Sequence, residues 1–267
     1  MAAKIARRVV AEPTPRHAGP MDERLGCAPV VAEFAAAVRP VAGVVAFYAG
    51  GSLASRDFQP GRSDLDLVAV VDRRPDPSGQ AALIRVHQRY DAEHPKLHCA
   101  YVPRDAAADL HRRHVTWAHR RLLRRPFSGI GRGELLQGGI VVLGPPPETF
   151  FPPLGAAALA EAARAELRGY WHGAVRRSEV WRTDLHVDLG LTTLARADAT
   201  IADGRLITKR EAIARMPGLG VPPELAAQIA RRRRGEPVKL TEAEIGERAV
   251  LVRRLMRDGL RRLLPTR

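Results

Sequence analysis

The alternation of apolar and polar positions divides the 267-residue chain into a mixed first half and a helical second half. Short apolar runs typical of buried strands occur at residues 44–47, 67–71, 96–102 and 138–144. Apolar positions recur at helical spacing in residues 30–41 and 78–94. Strands interleaved with helices in this way predict a small sheet with helices packed on it.

Prolines interrupt this pattern at residues 145–153, where PPPETFFPP is too stiff and too poor in backbone donors for a helix or a sheet. We place a domain boundary there. The rest of the chain shows helical spacing, with Gly204 as a stop signal and Thr208 as a cap. The predicted fold class is therefore α+β. A loose extension at 1–27 precedes a small mixed-sheet domain at 28–147 and an all-α helix bundle at 148–267.

The chain carries a net charge of +14 with a pI near 11.0, which raises the question of an acidic partner. The excess of basic over acidic residues is +8 in residues 151–267 and +4 in residues 28–150. Clustered arginines favour nucleic-acid binding, but only four of the 43 basic residues are lysine, and this arginine bias is also typical of a GC-rich genome. Nucleic acid is therefore the less favoured partner.

The sequence contains no run of about twenty apolar residues and no signal-peptide pattern. These observations predict a cytoplasmic protein without a membrane partner, and we expect a monomer. In a reducing compartment Cys27 and Cys99 are expected to be free thiols without a role.

The candidate chemistry lies at the start of the second predicted strand, where Asp64 and Asp66 stand two residues apart. Side chains at this spacing point to the same face of a strand, so a divalent cation between the carboxylates would offset their repulsion. Upstream, Gly50 and Gly51 let the backbone approach a phosphate, and Ser52 adds a hydroxyl. The alternative is a simple turn, with Asp64 as a cap and Asp66 exposed on an edge strand. An unpaired carboxylate inside an apolar run would be costly, which favours the cation.

Two stretches resemble a known family. Residues 50–71, GGSLASRDFQPGRSDLDLVAVV, resemble the Gly-Ser and Asp-x-Asp signature of the DNA polymerase β-like nucleotidyltransferase superfamily. Residues 191–217, LTTLARADATIADGRLITKREAIARMP, are similar to the C-terminal helical domain of the aminoglycoside adenylyltransferases that act on streptomycin and spectinomycin. The resemblance implies that the chain transfers AMP from ATP, with Mg²⁺, onto a hydroxyl of a small acceptor such as an aminoglycoside and releases pyrophosphate.

The resemblance also implies roles for single residues. Ser52 and Ser63 would contact the ATP phosphates beside Gly51, and Asp64 and Asp66 would be the catalytic magnesium ligands.

The helical domain would contribute two cations, because the resemblance implies that Arg196 and Lys209 reach the triphosphate across an interdomain cleft. Without the family, Arg196 is an ordinary helix residue and Lys209 a solvated lysine in a first turn. Glu134 matches an acidic family position near the nucleotide, and a solvent-facing helix residue is the alternative.

The sequence departs from the family pattern in two places. The family has a third carboxylate on the next strand, as metal ligand and base, and here His98 stands at the matching position. Imidazole is a poor magnesium ligand but a good general base near pH 7. We therefore expect His98 to act as a catalytic base whose pKa is raised by nearby carboxylates, with a packed strand residue as the alternative. In the second departure, Arg233 replaces an aromatic residue of the family.

Acceptor contacts are expected near residues 181–188, where Trp181 offers a stacking surface and Asp184 and Asp188 offer charge for a polycation. Bundle packing and a helix start explain the same residues, and the basic helical half speaks against a polycation.

Two alternatives to this function stay open. One is a catalytically weakened nucleotide-binding protein whose Arg-rich helical domain binds RNA or DNA, and the other is a transferase acting on a protein or tRNA.

Overall fold

A computed structural model of the chain describes residues 22–264. Within these residues the strands are β1 Val44–Ala49, β2 Leu65–Val71, β3 Leu97–Pro103, β4 Arg113–Ala118, β5 Arg121–Pro126 and β6 Ile140–Leu143. The helices are α1 Val30–Ala42, α2 Gly51–Ala54, α3 Pro77–Tyr90, α4 Gly129–Gly138, α5 Ala156–Glu166, α6 His172–Ala174, α7 Asp184–Asp203, α8 Lys209–Arg215, α9 Pro223–Arg234 and α10 Glu242–Leu263. A mixed-sheet part followed by a helical part confirms the predicted α+β class.

The strands form one sheet in the order β5-β4-β3-β2-β1-β6. Strands β2 and β3 run parallel, whereas the other neighbouring pairs run antiparallel. Because β2 and β3 are parallel and Asp66 lies opposite His98, both strands begin at the same end of the sheet. The end of β1 meets this edge as well, since Ala49 pairs with Leu67. The predicted chemistry is therefore collected at one end of the sheet.

Each face of the sheet is covered by its own layer. Helices α1 and α3 cover one face, where Phe34 and Leu83 pack against Leu67. The other face packs against Leu135 of α4 and the fully buried Phe151. Phe151 belongs to the proline-dense segment, so part of that segment packs on the sheet and the helical part begins beyond it.

Helix α4 packs closely on α5, which joins the sheet part to the helical part. A Cβ atom at Gly129 would lie 2.6 Å from the Cβ of Ala162, and one at Gly133 would lie 2.7 Å from Cδ2 of Leu159. Both distances are too short for real Cβ contacts, so the absence of a side chain at Gly129 and Gly133 allows this approach.

The predicted loose extension is corrected in its last residues. Glu23–Cys27 form a 3₁₀ helix in which Leu25 is buried. Arg24 donates hydrogen bonds to the carbonyl oxygens of Ala54, at 2.6 Å, and Gly138, at 3.0 Å. Residues 22–27 therefore pack on the sheet part, and the prediction for residues 1–21 lies outside the described residues.

Strands β4 and β5 were not predicted from the sequence pattern. They form a hairpin whose two turn residues, His119 and Arg120, both have positive φ angles, of 52° and 59°. Two-residue hairpin turns of this kind normally contain Asn-Gly or Asp-Gly, so the sequence carries no recognisable turn signal. In residues 22–264 no helix is long and apolar enough to cross a membrane.

Candidate functional site

The backbone around Gly51 brings the start of α2 against Asp66. The amide of Gly50 donates a 2.7 Å hydrogen bond to the backbone oxygen of Asp66. Gly51 has a φ of +56°, and a Cβ atom there would overlap the Asp66 carboxyl group, 3.0 Å from its Cγ. The half-buried Ser52 follows directly. A ligand at Asp66 is therefore adjacent to the backbone at the first turn of α2.

The negative charge of the Asp66 carboxylate lies in an unfavourable environment. Burial by the surrounding protein raises its pKa to about 6, and the negative charges of Glu134 and Asp64 add to this effect. Lys209 opposes the rise in pKa. Solvent nevertheless reaches 53% of the Asp66 side chain, so the group lies in an open cleft with protein on several sides.

This excess of negative charge fits a divalent cation, because a cation beside Asp64 and Asp66 would offset their repulsion. Over the described range, no group of three or more His, Cys, Asp or Glu side chains is arranged to hold a metal ion. Asp64 and Asp66 are thus a pair of carboxylates and not part of a larger group among the described residues, and magnesium commonly binds one or two carboxylates and completes its shell with water and phosphate oxygens.

His98 lies beside Asp66 in the sheet, as predicted. Its Nδ1 atom is 3.9 Å from Oδ1 of Asp66, and its ring makes an edge contact with His119 at 5.1 Å between centroids. The prediction that nearby carboxylates raise the pKa of His98 is wrong. Burial lowers the pKa of His98 below its ordinary value, and the carboxylate of Asp64 opposes this only in part. A neutral imidazole at neutral pH can accept a proton.

Arg196 and Glu134 meet across the two parts of the chain. The Arg196 guanidinium forms an ion pair with the Glu134 carboxylate, and its Nε atom donates a 2.9 Å hydrogen bond to the Ile207 carbonyl. Each side chain is about one-quarter exposed, at 26% and 25%. Arg196 is thus committed to Glu134 in this structure, and its contact with a triphosphate stays a prediction.

Lys209 is the first residue of α8, which is capped by Thr208. Its charge lowers the pKa of Asp66, so the ammonium group lies within electrostatic reach of that carboxyl group. Among the residues that the structure describes, none forms a hydrogen bond or an ion pair with the Lys209 ammonium group. This ammonium is available to an anionic ligand at Asp66.

The loop between α2 and β2 is held by the helical part. Ser63 accepts a 3.0 Å hydrogen bond from the Gln59 amide through its hydroxyl, which leaves the hydroxyl proton available for a ligand. Asp57, which sequence reasoning missed, is buried and forms a 2.8 Å ion pair with Arg233. Arg233 therefore holds this loop against the helical part.

The residues expected to contact the acceptor are buried or paired within the helical part. Trp181 is fully buried, so it offers no stacking surface, and bundle packing explains it. Asp188 forms a 2.6 Å ion pair with Arg232, and Asp184 forms a 2.5 Å ion pair with Arg248. Both acids are paired with arginines of the same chain in this structure, so their contact with a polycationic acceptor stays a prediction.

Sequence reasoning also missed two residues of the β4–β5 hairpin. The charge of Arg125 lowers the pKa of both Asp66 and His98, and His119 lowers that of His98. The signal in the sequence was a long basic segment: residues 110–133 contain seven arginines and no acidic residue.

Comparison with known proteins supports the fold. No protein-family model matches the chain. No curated protein matches it in sequence. The structure is similar to the crystal structure of the spectinomycin adenyltransferase from Enterococcus faecialis with ATP and spectinomycin, with a TM-score of 0.63 and 13% sequence identity over 88% of this chain and 98% of that chain. At this identity the likeness shows that the two proteins share a fold, a mixed sheet followed by helices, and nothing finer.

Proposed function

We propose that the chain is a magnesium-dependent nucleotidyltransferase that moves AMP from ATP onto a hydroxyl group of a small acceptor. The observation that carries the proposal is the Asp66 carboxyl group of raised pKa, which lies in an open cleft beside Asp64 and Gly51 and within electrostatic reach of Lys209. Perturbed carboxyl groups in clefts are typical of functional sites. The shared fold with an adenyltransferase solved with ATP is consistent with this function.

Different residues around the cleft would bind the metal ion and the phosphates of the nucleotide. Asp64 and Asp66 would hold magnesium, which when bound supplies charge neutralisation for displacement at the α-phosphate. The turn at Gly51 and the hydroxyl of Ser52 would lie against the phosphates. Lys209 would bind the triphosphate and stabilise the negative charge that develops on the departing pyrophosphate.

Three further residues complete the proposed nucleotide site. Ser63 would donate its free hydroxyl proton to a phosphate oxygen. Arg196 would contact the triphosphate from its place beside Glu134, which orients the guanidinium through their ion pair. Any such contact requires the ion pair to be shared with the ligand or exchanged for it.

His98 would act as the general base. Its lowered pKa keeps the imidazole neutral at neutral pH, so Nδ1 or Nε2 can accept the hydroxyl proton of the acceptor. The acceptor oxygen then forms a bond to the α-phosphorus while the bond to the β-phosphate oxygen breaks.

Calorimetry with MgATP tests the metal site. The double variant Asp64→Asn, Asp66→Asn keeps the size of both side chains and removes the charge, so MgATP affinity should fall at least tenfold at pH 8 and ATP affinity in EDTA should change little. Asp72→Asn is the matched control, since Asp72 directly follows β2 and is exposed in an ion pair with Arg104. Equal MgATP affinity in the double variant and the wild type would contradict the proposal.

The same preparation tests the base. His98→Ala should lower the turnover number by roughly 10² to 10⁴ with MgATP affinity nearly unchanged, since a positioned general base contributes about this much. Unchanged turnover would assign His98 to strand packing.

The alternative of nucleic-acid binding through the helical arginines receives less support. Arg232, Arg233 and Arg234 of the RRRRG segment each form an ion pair with a carboxylate of the same chain. Arginines committed to internal carboxylates contribute less charge to a phosphate backbone. This observation favours the enzyme over a binding protein of that design.

A further inference from the structure

The order of the strands separates the two substrates of the proposed reaction, on which this inference rests. Strand β2, with Asp66, lies between β1 and β3. The turn at Gly51 that would receive the phosphates follows β1, so the nucleotide is placed on the β1 side of Asp66. His98, the proposed base, lies on β3. The acceptor hydroxyl must reach His98, so the acceptor lies over β3, β4 and β5.

The outer strand on that side presents arginines to the cleft. In the antiparallel register, Ala100 of β3 lies opposite Thr116 of β4, which lies opposite Leu123 of β5. Ala100 is two residues from His98 and so shares its face of the sheet. By the same alternation Arg121 and Arg125, each two residues from Leu123, share this face. The charge of Arg125 acts on both Asp66 and His98, which is consistent with this placement.

These two arginines are available to a ligand. Both are exposed, and neither forms an ion pair or a hydrogen bond through its side chain with any residue in the range 22–264. By contrast, the helical arginines Arg232 and Arg233 have carboxylate partners. The seven arginines of residues 110–133 are not balanced by any acidic residue within that segment.

The acidic side chains that a polycationic acceptor would need are already paired with arginines. Asp184 and Asp188 are paired with Arg248 and Arg232. Within the cleft, Glu134 is paired with Arg196. The acceptor side therefore offers unpaired positive charge and no free acidic side chain among these candidates.

We propose that the hydroxyl acceptor carries a phosphate group, which Arg121 and Arg125 bind on the β5 side of the cleft. A guanidinium matches the geometry of phosphate oxygens with two parallel N–H donors, and such charge-assisted bonds are strong. Either a sugar phosphate or the end of an RNA strand supplies this chemistry. In the reaction the acceptor O–H loses its proton to His98, its oxygen gains the AMP group, and pyrophosphate leaves.

The test compares two faces of one strand. Arg121→Ala, Arg125→Ala removes both cleft-facing arginines, whereas Arg124→Ala removes an exposed arginine whose place in β5 points to the other face. Binding is measured at pH 8 with magnesium and a non-hydrolysable ATP analogue, and transfer is measured with labelled ATP. The probes are glucose 6-phosphate, ribose 5-phosphate, a short oligoribonucleotide with a free 3′ hydroxyl, glucose and spectinomycin.

We expect the wild type to bind at least one phosphate-bearing probe and to transfer AMP to it. The double variant should weaken the binding of that probe roughly 10- to 100-fold. The probe affinity of Arg124→Ala should stay within about threefold of the wild type, and so should the MgATP affinity of both variants. A preference for the sugar phosphates assigns a small acceptor, and a preference for the oligoribonucleotide assigns an RNA end.

Other outcomes overturn the inference in distinguishable ways. Binding or transfer confined to glucose or spectinomycin overturns the inference. A loss of probe affinity in Arg124→Ala equal to that in the double variant overturns it as well. MgATP binding without binding of any phosphate-bearing probe overturns it and leaves the nucleotide site standing. Failure of MgATP to bind removes the proposed function together with this inference.

Discussion

Gly51 shows how one residue without a side chain shapes the candidate site. Its φ of +56° lies in the left-handed region, which costs other residues roughly 1–2 kcal/mol. A Cβ atom at this position would also overlap the carboxyl group of Asp66. The two constraints have different consequences, because the first acts on the backbone and the second acts on the proposed metal ligand.

A pair of glycine variants separates these consequences. Gly51→Ala should lower MgATP affinity at least tenfold, since the Asp66 carboxyl must move away from its place beside Asp64. Gly61→Ala is the control, because Gly61 has a φ of +73° in the loop that follows α2 and no atom within 4 Å of the added Cβ. Both variants should lose roughly 1–2 kcal/mol of unfolding free energy in urea. Equal MgATP affinity in the two variants would contradict the role assigned to Gly51.

At the scale of elements, helix α3 places a histidine beneath the sheet. His87 is 1% exposed, and its ring stacks on Trp117 of β4 with 4.6 Å between centroids. Its Nε2 atom is 2.9 Å from the hydroxyl of Tyr101 on β3. Burial lowers the pKa of His87 to about 3, so the helix packs on the sheet with a neutral imidazole.

This packing predicts that acid weakens the fold. The unfolded chain binds a proton at His87 below about pH 6.5 and the folded chain does not until about pH 3, so stability rises with pH between these values. Raising the pH from 5 to 7 should therefore add about 2 kcal/mol to the unfolding free energy through His87. The measurement is the difference between urea curves of the wild type and His87→Gln at each pH, which removes contributions that the two proteins share.

The exposed His111 provides the control for this difference, since His111→Gln leaves the packing of α3 intact. A difference between wild type and His87→Gln that does not change with pH would show that His87 titrates equally in both states.

At the scale of the whole molecule, Asp57 ties the sheet part to the helical part. Its carboxylate pairs with Arg233 of α9 at 2.8 Å and accepts a 3.3 Å hydrogen bond from the Arg210 amide of α8. Arg233 also donates a 2.8 Å hydrogen bond to the Asp57 carbonyl. Since Asp57 belongs to the loop between α2 and β2, the helical part positions the segment that leads to Asp64.

Asp57→Asn should therefore destabilise the whole molecule. The substitution leaves the guanidinium of Arg233, which is only 16% exposed, without its carboxylate, and breaking a buried pair on one side costs about 3 kcal/mol. Arg234→Ala removes the neighbouring ion pair with Glu236, in which Arg234 is 56% exposed, and should cost less than about 1 kcal/mol. Urea unfolding measures both. Equal losses would show that the Asp57 contact does not join the two parts.

Local spacing alone determined much of this protein. The alternation of side chains on a strand places Asp64 and Asp66 on the same face. The apolar runs and the Gly50-Gly51 pair are likewise local signals, because they involve residues that are close together in the chain. For the same reason the helices of the second half could be predicted from spacing and caps such as Thr208. The register of Asp66 against His98 also agrees with the match made from sequence.

Only the tertiary structure decided which charges are free. Asp188 and Arg232 are 44 residues apart, and Asp184 and Arg248 are 64 apart, so no local pattern shows that these acids are neutralised. The pKa of His98 falls because burial in the folded protein outweighs the effect of the Asp64 carboxylate. Arg121 and Arg125 share the sheet face of His98 through a hairpin that lacks a turn signal. Desolvation and ion pairing depend on groups brought together through space, and for this reason the charge on the side proposed for the acceptor follows from the fold and not from the order of residues.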